Sequence, residues 1–295
     1  MCPRTCLVAC LSVQASDCVL ILFGHLALHV YASAATHACH MGEVNTKTAE
    51  IMKEHCISLY TKAQLDVLFP PLEQKSQFIE MWCPPRMAPA LKDLSLNTLP
   101  SIDVLNGWNL LDDAHFEHAM SMLSMSKCDI TFLCPPCTTH SKLWHSSKNK
   151  MDPEVRATQK AEGLKLLERA LQVARFQVES GRKFVFEHPE GASSFQHPLM
   201  KEVQKDSDVC TIKFDQCRFG LKSKVVGMPH RKPTVFVTNV AGICAEFANM
   251  RCQCSEPHVQ VQGREGGQTR ASWASRYPDP MVRAIVRGVA RASGA

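Results

Sequence analysis

Cys128-Asp129-Ile130-Thr131-Phe132-Leu133-Cys134-Pro135-Pro136-Cys137-Thr138-Thr139-His140-Ser141 decides how this chain is read. The apolar run from Ile130 to Leu133 has strand character and stops at two prolines, which fix φ and cannot donate to a sheet ladder. Cys137 therefore stands on a stiff loop at a strand's end, where open α/β sheets keep reactive groups.

Working outward, the pattern alternates. Residues 77–82 read as a strand broken by Cys83-Pro84-Pro85, and residues 86–96 can form a short helix. A second short strand at 101–105 ends near Asp103, and Asp112 or Asp113 can cap a helix to about residue 125. Downstream, Asp152 is an N-cap with Pro153 at the first helical position, and Leu164, Leu167, Leu171, Ala174 and Val178 form an apolar stripe closed by Gly181. Phe184-Val185-Phe186 reads as a buried strand ending at Glu187-His188-Pro189. A helix at 198–205, a strand at 209–214 ending in Asp215-Gln216-Cys217, and a last strand at 234–238 follow. Strands separated by helices predict an α/β fold, a mostly parallel sheet with helices on both faces.

With 295 residues, 45% hydrophobic and 21% charged, the chain can bury a large core, which excludes disorder as the default. Formal charge is +5, unevenly spread: residues 218–232 hold five Lys or Arg and no acid, and residues 264–291 hold six Arg against two acids. A polyanionic partner suits such segments, although a solvated face is the commoner reading of one cluster. Fifteen cysteines form an odd, irregularly spaced set, which favours a reduced intracellular protein over a disulfide scaffold. Residues 18–35 are apolar and end in Ala32-Ser33-Ala34, so a secreted or membrane-anchored protein is the alternative; Asp17, His25 and His29 argue against it, and a membrane partner is not expected.

The expected organisation is a poorly defined leader at 1–74, an α/β domain at 75–263 and a basic tail at 264–295. The tail carries an amphipathic helix with Val282, Ile285, Val286 and Val289 on one face and Arg283, Arg287 and Arg291 on the other. Docking on the domain is the first reading of that helix, and a phosphate-contacting arginine stripe the second.

Three strands end in loaded loops, at Cys137, Glu187 and Asp215, and parallel strands bring such ends to one edge. A thiol nucleophile beside a carboxylic acid that can hydrogen-bond a ring nitrogen suits addition to carbon 6 of a pyrimidine.

These residues also carry a resemblance. Pro135-Pro136-Cys137 followed by Ser141 resembles the Pro-Cys motif of DNA cytosine-5 methyltransferases, Glu187-His188-Pro189 resembles that family's Glu-Asn-Val strand end, and the run from Phe219-Gly220 to Gly227-Met228-Pro229-His230-Arg231 is similar to its later Gly-x-Pro-Gln-x-Arg region. The nearer likeness is to a divergent, retroelement-associated branch with Ser-Pro-Pro-Cys, Glu-His-Pro-x-Gly, Asp-Gln-Cys-x-Tyr/Phe-Gly and Lys-Pro-Thr motifs. Here those stand at Cys134 to Cys137, Glu187 to Gly191, Asp215 to Gly220 and Lys232 to Thr234. The resemblance covers about residues 78–263. It implies a Rossmann-like S-adenosylmethionine-dependent methyltransferase fold, Cys137 as nucleophile and Glu187 as the acid that holds the base.

It further implies S-adenosylmethionine near Trp82, Cys83, Asp103, Asn109 and Pro135, with Asp103 on the ribose diol. DNA would lie along Ser141, Arg218, Lys222, Lys224, Arg231 and Lys232, in a nuclear protein. The sequence departs from the family at the cofactor turn, where Trp82-Cys83-Pro84-Pro85-Arg86 replaces a glycine-rich stretch, at Asn109, where an acid is usual, and at His188-Pro189. A catalytically inactive, nucleic-acid-binding remnant of a mobile element is the alternative function.

Zinc is the rival cofactor. Cys252, Cys254 and His258 have ligand-like spacing but lack an obvious fourth donor, and Cys134, Cys137 and His140 could share a tetrahedral site with them. A zinc-stabilised interaction module is therefore a third reading.

Overall fold

The computed structural model describes residues 59–68, 77–146 and 151–294. Two compact units divide the chain, Met1–Tyr60 and Thr61–Ala295, and the fold is that of the second. The apolar segment at 18–35 and most of the leader lie outside the described residues.

Helix α1 (Lys62–Leu68) precedes β1 (Phe78–Met81), α2 (Ala88–Asp93), α3 (Asp113–Ser126) and β2 (Ile130–Leu133). Next come α4 (Lys142–Ser146), α5 (Pro153–Glu179), β3 (Lys183–Pro189), α6 (Pro198–Val203), β4 (Cys210–Asp215) and β5 (Pro233–Thr238). The chain closes with α7 (Ala241–Phe247), a small hairpin of β6 (Arg264–Glu265) and β7 (Gln268–Thr269), α8 (Arg270–Trp273) and α9 (Asp279–Ser293).

Five strands form one mixed sheet in the order β1-β2-β3-β5-β4. β1, β2 and β3 pair in parallel, with Phe78 opposite Ile130 and Ile130 opposite Lys183. β5 is antiparallel to both β3 and β4, so it alone is reversed. A parallel return needs a crossover of a dozen or more residues, usually through a helix. Between β4 and β5 the chain has a 3-10 turn, Gln216–Phe219, and loop, with no α-helix, and it turns straight back.

Strand period sorts the core into two layers. Phe132, Val185, Phe214 and Phe236 pack with Leu91 of α2, Ile243 and Phe247 of α7, and Met281 and Ile285 of α9. Phe184 and Phe186 alternate with Val185, and α5 lies against β2 and β3. Both phenylalanines are fully buried, each contributing about 1.5–3 kcal/mol.

The long helix starts as its sequence dictates. Asp152 accepts from the N–H groups of Glu154 and Val155 at 2.9 and 3.1 Å, a cap that contributes about 1 kcal/mol. Leu167, Leu171 and Ala174 are buried, whereas Leu164, expected in the stripe, is 38% exposed. The strand expected at 101–105 is reduced to isolated parallel bridges, Phe78 to Thr98 and Met81 to Ile102, because Pro100 has no N–H and Asp103 turns the chain into a 3-10 turn at Val104–Asn106.

Helix α7 has no counterpart in the sequence expectations. Val240, Ile243 and Phe247 bury one side of it, and a disulfide joins Cys244 to Cys210 of β4. α9 crosses α7 where Gly242 meets Gly288: a Cβ on Gly242 would run into the Gly288 carbonyl oxygen. Arg287 and Arg291 reach Glu246 of α7 at 2.6 and 2.8 Å, so the arginine face helps to dock the helix. Among the described residues, no helix is long and apolar enough to cross a membrane.

Candidate functional site

The carboxyl ends of β1, β2, β3 and β4 share one edge of the sheet, and the reversal of β5 brings its amino end there too. Cys137, Glu187, Asp215 and Lys232 all lie on that edge as a direct result of strand direction.

After β2, the Cys134 N–H donates to Met81 O at 3.1 Å, and the prolines then end the ladder. Two histidines fix the loop that follows. His188 Nε2 donates to Pro135 O at 3.1 Å, since a carbonyl only accepts, which leaves Nδ1 to accept from Ser194 Oγ at 2.7 Å. His140 likewise donates to Gly163 O at 3.2 Å and accepts from Ser193 Oγ at 3.3 Å. Burial holds His188 neutral, with its pKa pushed down to about 3. Gly163 lets the loop approach α5, because a Cβ there would collide with the Thr139 side chain.

Cys137 itself caps the 3-10 turn Thr138–His140 in an ordinary right-handed conformation. Burial pushes its thiol up to about 11; the Glu187 carboxylate adds to the rise and the Lys232 ammonium opposes it. Glu187 is buried at the end of β3, and burial raises its pKa against the opposing pull of Lys232 and a hydrogen bond with Tyr277. Its Oε1 lies 4.0 Å from Lys232 Nζ and has no hydrogen-bond partner. Lys232 also donates to Ala274 O at 3.1 Å and lies 5.9 Å from the Tyr277 ring centre. The Tyr277 hydroxyl is 3.1 Å from Cys134 Sγ, so the segment after α8 covers this edge.

The structure thus brings together Cys137, Glu187 and Lys232. Cys83 and Cys134 lie beside them, their thiols in hydrogen-bond contact and the Cys83 pKa raised chiefly by that contact and by burial. Tyr277 was not legible as a site residue, since nothing local marks it.

The other residues expected near a methyl donor, Trp82, Asp103, Asn109 and Pro135, are tied into their own turns or buried. Trp82 takes a left-handed conformation, φ 59°, at the turn where side chains would have to be absent. The Glu80 carboxylate accepts from Arg86, Met87 and Ala88 N–H groups at 2.9, 3.1 and 2.9 Å, closing that turn onto α2. Asp103 Oδ1 accepts from Leu105 N–H at 2.9 Å, and Asn109 Oδ1 from Leu111 N–H at 3.2 Å. Both residues are buried, as is Pro135. One oxygen of each of these side chains is therefore engaged by its own backbone.

Of the residues expected to meet DNA, Arg218, Lys222, Lys224 and Arg231 are exposed. Lys224 stacks over the Trp273 ring at 5.4 Å, and Arg231 Nε is 3.7 Å from Asp215. Ser141 instead caps α4: its hydroxyl donates to Thr138 O at 2.8 Å and accepts from Trp144 N–H at 3.2 Å.

A second cluster lies beside β4. The ligand atoms of Cys217, Cys252, Cys254 and His258 all lie within 4.8 Å of one another. Cys217 was missed as a donor because 34 residues separate it from Cys252, though the Asp215-Gln216-Cys217 strand end had marked the position. Cys134, Cys137 and His140 do not join this group, which corrects the shared-site expectation: Cys134 is engaged by Tyr277, and His140 by Gly163 and Ser193.

No family model matches this chain, and no curated protein is significantly similar to it.

Proposed function

We propose that this chain is a DNA cytosine-5 methyltransferase-like protein that keeps the base-binding half of the site without the methyl-donor half, and that it works by binding nucleic acid. One contrast carries the reading: Cys137 and Glu187 meet at the ends of adjacent parallel strands, while Glu80, Asp103 and Asn109 are engaged by their own turns. The motif resemblance and the mostly parallel sheet support the family, and the exposed cations from Arg218 to Arg231 support the partner. A nuclear location and an origin in a mobile element belong to the same reading.

The residues present suit a flipped cytosine ring. Glu187, buried and with raised proton affinity, would hydrogen-bond the ring nitrogen, and the covering Tyr277 would have to withdraw. One observation favours a second, catalytic reading: the Lys232 ammonium acts on both Glu187 and Cys137 and opposes part of the rise that burial imposes on the thiol's pKa. In that reading the Cys137 thiolate bonds to carbon 6, the ring's double-bond electrons move toward the ring nitrogen, and Glu187 delivers a proton there.

Calorimetry with S-adenosylmethionine and a labelled methyl-transfer assay on cytosine-containing duplex test the proposal. The expected result is neither cofactor heat nor transfer, with DNA affinity that falls as salt rises. Methyl transfer that is abolished by Cys137→Ser would establish the catalytic reading instead. Absence of any DNA affinity would overturn both.

A further inference from the structure

We propose that Cys217, Cys252, Cys254 and His258 form a structural zinc site that pins the segment after α7 to the end of β4. Three sulfurs and one imidazole nitrogen converge within 4.8 Å. Tetrahedral zinc, with Zn–S of about 2.3 Å and Zn–N of about 2.0 Å, sets sulfur–sulfur edges of about 3.8 Å and sulfur–nitrogen edges of about 3.5 Å. The Cys252 Sγ to His258 Nε2 distance is 3.3 Å. None of the three cysteines forms a disulfide, although their sulfurs are neighbours.

The donor set selects the metal. Thiolates with one imidazole in a tetrahedral arrangement favour zinc over the hard cations that prefer oxygen. Four protein donors leave no open position for water or substrate, which makes the site structural rather than catalytic.

The backbone holds the two halves in place independently of any metal. Asp215 N–H donates to Met250 O at 3.0 Å, and Cys252 N–H donates to Asp215 Oδ2 at 2.9 Å. Cys217 follows in the 3-10 turn two residues after Asp215, so these bonds bring its thiol toward the Cys252-to-His258 segment. Arg251 and Arg231 converge on the same Asp215, at 3.3 and 3.7 Å. Zinc would therefore fix part of the basic edge that faces a nucleic acid, as well as a loop.

The test uses the full chain produced with added zinc, desalted, and analysed for metal. One zinc per chain is expected, with Cys217, Cys252 and Cys254 protected from alkylation until a strong chelator is added, as mapped by mass spectrometry of the wild-type protein. Cobalt in place of zinc should give the intense visible absorption of a tetrahedral thiolate site, weakened in Cys217→Ser. A metal-free protein with these three thiols freely alkylated would overturn the proposal. So would a disulfide among them in the protein as purified, or zinc content and cobalt spectrum left unchanged by Cys217→Ser.

Discussion

Lys232 Nζ stands 4.0 Å from Glu187 Oε1, across two strands that run in opposite directions. Only the reversal of β5 makes the pairing available: a parallel β5 would carry Lys232 to the far edge of the sheet. Burial raises the Glu187 pKa above its ordinary value of about 4.3. The folded protein therefore holds the Glu187 proton to higher pH than the unfolded chain, and this contribution to stability is lost as pH rises through the folded pKa. Urea unfolding over a pH series should show Glu187→Gln gaining on the wild type as pH increases from about 4.3. A constant difference between the two would contradict the assignment.

Removing the partner should cost more than removing the pair. Lys232→Met leaves a buried carboxyl without the one cation that reaches it among the described residues, a loss of about 1–3 kcal/mol at neutral pH. In the Glu187→Gln background the same change should cost less, because no charge is left unpaired. Equal costs in the two backgrounds would mean that Lys232 acts through its bond to Ala274 O alone.

Cys137 should be a slow nucleophile in the resting protein. Its thiol is pushed up to about 11, against about 8.5 for an unfolded cysteine, so at neutral pH it presents about three-hundredfold less thiolate. Alkylation followed by peptide mapping should find Cys137 protected in the native state and reactive in denaturant. Tyr277→Ala, which uncovers the edge, should accelerate the native reaction. Native labelling as fast as in denaturant would show that the thiol is not buried.

The crossing of α7 and α9 has no room for a methyl group. Gly242→Ala would drive a Cβ into the Gly288 carbonyl, and forcing the helices apart should cost about 1–3 kcal/mol. The denaturant midpoint should fall with an unchanged slope. Ala in place of Gly181, where no heavy atom lies within 4 Å but φ is +66°, should cost only the left-handed backbone strain of about 1 kcal/mol.

Much of this architecture was legible because its causes are local. Asp152 and Pro153 start α5, Gly181 follows its end, and the prolines after Cys134 stop β2. The direction of β5 was not legible, because it depends on the missing crossover helix rather than on any residue within residues 233–238. Nor were Cys217 as a donor or Tyr277 as a cover, since each reaches its partners across long sequence separations. The departure at the turn after β1 was legible in composition, as Trp82 in place of glycine, but the capture of Glu80 by three amides required the fold.

Under the proposed nucleic-acid binding, the cations that meet phosphates can be separated by salt. Arg218, Lys222 and Lys224 are exposed without a carboxylate partner among the ion pairs of the described residues, whereas Arg287 and Arg291 are tied to Glu246. Each phosphate neutralised contributes about −0.9 to the slope of log affinity against log salt, so three contacts give about −2.7. Replacing Lys222 with Ala should lower the magnitude of that slope by about 0.9 and weaken binding to all sequences alike. Arg287→Ala should leave the slope unchanged and instead loosen α9 on α7. A slope that responds to Arg287 and ignores Lys222 would move the binding face from the strand edge to the tail helix.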